Sequence, residues 1–174
     1  MIRWWISRRL AVAEARYGDS LEYLRHLLRA SLAAFLQFAK LARVSRFRRA
    51  LPVGPFHVAR ILAARHEDCG GCVQTTVAMA RQDGLSPAWL QAIVDGRPDA
   101  LPAELADTYD FVDRVLRATH DEGAPRERLR ARYGRRTDAV LAELAVVLAA
   151  TRAFPITKRV LGYANACAKV EVAP

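Results

Sequence analysis

His57–Leu85 reads HVARILAARHEDCGGCVQTTVAMARQDGL. Together with Phe56 before it, Ala59, Ile61, Leu62 and Ala63 place apolar side chains on a wide face at helical spacing. That spacing predicts a helix over about 56–66. Asp68 then reads as the N-cap of a second helix that carries Cys69 and Cys72 and ends near Gly84. A helix, a tight polar turn and another helix make a hairpin, and the rest of the chain is punctuated in the same way.

Upstream, Asp19-Ser20-Leu21-Glu22 reads as a cap with a glutamate following, opening one apolar-periodic run to about Val44 before Pro52 and Pro55 break the chain. Downstream, Ser86-Pro87 starts a helix that Gly96 ends. Another is expected from Pro102 to His120, and a short basic one after Pro125. The most apolar segment, DAVLAELAVVLAATRAF (138–154), suits a central core helix. Pro155 is expected to interrupt it, with a new helix from Ile156 to about Ala168. No segment alternates between hairpin turns. The expected fold is therefore all-α, a helical bundle forming a single domain over 1–174, with a basic-aromatic extension at 1–18.

At 174 residues with 52% apolar side chains, the chain can bury a core without disulfide or metal staples. The longest apolar stretch, Ala139 to Ala150, carries Glu143, and the opening MIRWWISRRL reads poorly as a secretory leader; the expected location is cytoplasmic. The net charge of +9 comes almost entirely from arginine. Those arginines are spread through every expected helix and often lie beside acids, as in PRERLRARYGRR, which argues against a nucleic-acid interface. The N-terminal WWISRRL has the residue types of a membrane-surface segment, although one short amphipathic turn binds only marginally; packing of Trp4 and Trp5 on the body or on a neighbouring subunit is the expected use.

Cysteine is scarce, three in all, and two of them form the CxxC of Cys69 and Cys72. An odd, small count makes a secreted disulfide framework a poor reading. At i and i+3 in the first turn of a helix, the two sulfurs come within reach of a disulfide. The unpaired N–H groups and the helix dipole there stabilise a thiolate, whereas Glu67 and Asp68 raise the thiol pKa if their charges are uncompensated. Gly70 and Gly71 leave room for close approach. Zinc would need two further ligands from His57, His66, Cys167 or an acid, and no second ligand pair stands at standard spacing. His57 can take a proton from a thiol at neutral pH, and Glu67 is the alternative acid or base. His66 is expected to be exposed, and His26 and His120 carry no partner signal. Cys167 reads as a small buried residue near the end of the last helix, with Arg159 and Tyr163 on the same segment.

The run from His57 to Leu85, together with ELAVVLAATRAFPITKRVLGYANAC, resembles the carboxymuconolactone decarboxylase and alkylhydroperoxidase D superfamily. The likeness spans roughly residues 50–170, with the CxxC as its one sharp motif. It implies an all-α protein that assembles as a dimer, trimer or hexamer. The redox members are antioxidant enzymes that reduce peroxides with the cysteine pair and are re-reduced by a thioredoxin-like dithiol protein, without a metal or cofactor. By that resemblance Cys72 attacks the peroxide and Cys69 resolves it to a disulfide. The chain departs from the pattern at the proton relay, since His57 and Thr76 stand where those members carry glutamate and histidine, and Gly71 precedes the second cysteine. Two other readings stay open: a cofactor-free decarboxylase acting on an anionic lactone acid, and a non-catalytic helical oligomer or binding module.

Overall fold

Every regular element of the computed structural model is helical among the residues it describes, 2–163 and Val172. In chain order these are α1 (Ile2–Tyr17), α2 (Glu22–Ala30), α3 (Leu32–Val44), α4 (Val53–His66), α5 (Gly70–Gln82), α6 (Pro87–Asp95), α7 (Ala103–Arg117), α8 (Gly123–Tyr133) and α9 (Thr137–Val160).

The sequence explains why α4 lies at the centre. From Pro55 to Ala64 every residue is buried, so the helix has no solvent face. A helix apolar on all sides must be enclosed, and α4 is enclosed by α5, α7 and α9, with α6 across one end. Ile61 on α4, Leu90 and Ile93 on α6, Val112 on α7, Leu129 on α8 and Leu144 on α9 are almost entirely inaccessible and form one continuous core. His57 and Arg60 are the two polar side chains buried within this apolar helix.

The loop entering α4 is held from α9. The carboxylate of Glu143 accepts hydrogen bonds from the backbone N–H groups of Arg49, Ala50 and Leu51 at 2.8–2.9 Å. The single charge in the apolar stretch Ala139 to Ala150 therefore caps a turn. An 18-residue window within Gly123–Val160 has a mean hydropathy of 1.8, apolar enough by composition to cross a membrane, and 44% of it is buried inside the protein. The core helix of a water-soluble protein meets the same description.

Helices α1–α3 build a second, smaller cluster around Leu10, Leu28 and Phe35. This N-terminal layer lies over the main core through contacts of α1 with α5 and of α3 with α9. An edge-to-face contact between Phe38 and Phe154 marks the second seam.

Three boundaries differ from the sequence expectation. The run 19–44 is two helices, because Ser31 turns extended and its hydroxyl accepts from the N–H of Ala34 at 3.2 Å, capping α3. Asp19 caps nothing; its carboxylate reaches Thr75 and Lys158. Pro155 does not break α9, which runs through it to Val160. An interior proline costs about 3 kcal/mol, and burial of Thr151, Pro155 and Lys158 along one face holds the two halves in line.

Candidate active site

The turn between α4 and α5 sets the cysteine geometry. Asp68 takes a left-handed conformation, φ 48°. Its N–H donates to the carbonyl of Arg65 and that of Cys69 to the carbonyl of Ala64. This is a Schellman ending of α4, with aspartate in the position usually given to glycine. Asp68 is thereby removed as the expected N-cap of the next helix; Cys69 takes that place, with extended backbone. Cys72 follows in the first turn of α5. The two are joined by a disulfide with Cα atoms 5.2 Å apart, an ordinary separation for a bridged pair. Both are nearly inaccessible, 3% and 8% exposed.

Cys72 lines a cavity of about 230 Å³ at the seam between the N-terminal layer and the core. Its walls come from Leu10 and Tyr17 of α1, Tyr23 and Leu24 of α2, Arg60 of α4, Met79 of α5 and Phe154 of α9. The room left by Gly71 is taken from within the chain, because a Cβ there would collide with the carboxylate of Asp19. That carboxylate, itself half-buried, pairs with the buried ammonium of Lys158 at 2.6 Å. Lys158 also sits over the ring of Tyr23 at 5.2 Å. Burial, with Asp19 nearby, raises the Tyr23 hydroxyl pKa, so Tyr23 stays neutral.

Glu67 is not a free charge beside the thiols. Its carboxylate accepts from Arg152 at 2.5 Å and from Arg159, which also donates to the Glu67 carbonyl at 3.0 Å. Burial opposes its charge, but the two guanidiniums outweigh that cost and hold the pKa below the ordinary value. Ionised at neutral pH, Glu67 ties the end of α4 to α9 and has no proton to give.

His57 is wholly buried near the start of α4, and its Nε2 pairs with Asp83 at 2.8 Å. The antiparallel hairpin accounts for this, since the start of α4 packs against the end of α5. Asp83 lies eleven residues beyond Cys72, on the order of 16 Å along the helix. Burial lowers the His57 pKa to about 4, despite the hydrogen bond to Asp83, so its ring is neutral. The hydroxyl of Thr76 donates to the carbonyl of Val73 at 2.9 Å. His66 and His120 are exposed, while Nδ1 of His26 meets the hydroxyl of Tyr163 at 3.1 Å. Cys167 lies outside the described residues. Among the described residues no three His, Cys, Asp or Glu side chains cluster where they could hold a metal.

Reasoning from sequence did not single out Arg60, Lys158 or Tyr23, and gave Asp19 only a capping role. For Arg60 there was a signal: a lone charge inside the apolar run VARILAA. Asp19 and Lys158 meet across 139 positions of sequence, and no local pattern marks such a pair. The chain matches no family model, no curated protein and no solved structure.

Proposed function

We propose that this protein is a thiol-dependent peroxidase, a disulfide oxidoreductase of the alkylhydroperoxidase D-like kind, with Cys72 as the attacking thiol and Cys69 as the resolving one. One observation carries the reading: Cys72, half of a disulfide at the first turn of α5, lines a cavity large enough for a small organic molecule. The N-terminal dipole of α5 favours the thiolate form of Cys72.

The chemistry balances without a metal. The Cys72 thiolate attacks the distal oxygen of a hydroperoxide; an S–O bond forms, the O–O bond breaks, and the alkoxide leaves to be protonated as an alcohol. The Cys69 thiol then displaces hydroxide from the Cys72 sulfenic acid, forming the disulfide and water. An external dithiol supplies two electrons and two protons to restore both thiols. Glu67 acts as a positioning residue for the α4–α5 turn, and neutral, distant His57 supports the hairpin. In this reading the partners are a hydroperoxide and a thioredoxin-like dithiol, and the working form is a homo-oligomer.

Steady-state peroxide consumption with a dithiol reductant tests this. Cys72→Ser should abolish turnover, and Cys69→Ser should slow it, because the external dithiol alone then reduces the Cys72 sulfenic acid. Turnover that persists in Cys72→Ser overturns the proposal, and lactone decarboxylation surviving in the double serine variant would replace it with the decarboxylase reading.

A further inference from the structure

The seam cavity contains a cation with an unfilled hydrogen-bonding position. Arg60 is 6% exposed in the middle of the core helix, and its Nε has no hydrogen-bond partner among the described residues. Its Nη2 meets only the sulfur of Met79 at 3.0 Å, and the guanidinium stacks on Phe56 at 5.2 Å. No carboxylate lies within ion-pair distance among the described residues: Asp83 faces it from the end of α5 but is engaged by His57, and Asp19 across the cavity is engaged by Lys158. Burying a guanidinium against a thioether and a ring leaves much of its desolvation uncompensated, a cost normally accepted only where an anion completes the site. Exposed Arg46 stands on the same cavity wall, adding a second positive charge at its outer edge. The remaining walls are largely apolar.

We infer that this cavity binds a small amphiphile with a carboxylate head, the head on Arg60 with Arg46 behind it and the apolar tail along α5 toward Cys72. Met79, which touches Arg60, follows Cys72 by seven residues, so the head and the sulfur are separated by roughly 10 Å along the helix axis. An apolar cavity of about 150 Å³ holds benzene; scaled by volume, the 230 Å³ here accepts a tail of about nine carbons. The binding claim is independent of thiol chemistry. The assignment of substrate class, medium-chain fatty-acid hydroperoxides, rests on the proposed peroxidase reading.

The test uses the full-length oxidised protein with decanoate as probe and decanol as its uncharged counterpart, both by calorimetric titration. Decanoate should bind at least tenfold more tightly than decanol. Arg60→Met should remove that preference while leaving decanol binding in place, and exposed Arg46→Gln, which leaves the core untouched, should weaken decanoate several-fold even if Arg60→Met does not fold. Equal affinity for the two probes in the wild type, or an unchanged preference in a folded Arg60→Met, overturns the inference. Wild-type turnover separates the two proposals: a wild-type protein that prefers decanoate to decanol yet consumes no hydroperoxide sinks the peroxidase reading alone. Turnover that is Cys72-dependent but indifferent to a carboxylate on the hydroperoxide sinks this one alone.

Discussion

His57 illustrates how one buried side chain sets an acid limit. Its ring is neutral in the folded protein because burial lowers its pKa to about 4, whereas the unfolded chain takes up a proton near the ordinary 6.5. Stability is thus full above about 6.5 and falls as the pH drops from there toward 4, by on the order of 3 kcal/mol over that window. Denaturant midpoints at pH 7, 5.5 and 4 should show the decline, and His57→Gln should flatten it. An unchanged slope in the variant would place the acid sensitivity elsewhere. Glu143 contributes at lower pH: burial raises its pKa, but the N–H groups of Ala50, Leu51 and Arg49 outweigh that and hold it below the ordinary value. Its contribution is present above the unfolded carboxylate range and disappears as the pH falls through that lowered value. Glu143→Gln should cost about 2 kcal/mol at neutral pH, read from urea unfolding. At Gly71 the constraint is steric, since any Cβ collides with Asp19. Gly71→Ala should push Asp19 from Lys158 and lower the melting temperature, although alanine is the better helix former.

Among the elements, α3 depends on a single hydroxyl. Ser31→Ala should cost about 1 kcal/mol by leaving the Ala34 N–H without its side-chain acceptor, measurable by thermal unfolding. A variant as stable as the parent would mean that α2 and α3 are held by packing alone. The same residue shows what the sequence discloses and what it conceals. Helix ends marked by Pro87, Gly84 and Gly96 were legible because those residues restrict or permit the backbone locally. The break at Ser31 was hidden inside an unbroken apolar pattern, and Pro155 suggested an interruption that burial on both sides of it overrides. Asp68 had the right residue type for an N-cap, but the Schellman ending of α4 claimed it first. The cysteine pair was legible from its spacing. The cavity it lines was not, because its walls converge from α1, α2, α4, α5 and α9, and long-range packing leaves no periodic trace.

Across the whole molecule some arginines are paired with acids and others are not. On the far side of the core Arg128 and Arg132 pair with Asp107 at 2.8 and 2.6 Å. Around the seam, Arg46, Arg48 and Arg60 have no carboxylate within ion-pair distance among the described residues. Three such guanidiniums thus lie where the N-terminal layer meets the core, Arg46 and Arg60 on the cavity that Cys72 lines, and attraction of anions to that seam should weaken with added salt. All of this matters for function only if the two sulfurs exchange electrons with something that enters. The most direct measurement is the intact mass of the fully reduced protein after one equivalent of an organic hydroperoxide, followed by peptide mapping. Loss of two hydrogens located at Cys69 and Cys72, reversed by a dithiol, is the expected result. Reduced thiols left unchanged by peroxide, or oxidation confined to Cys167, would contradict it.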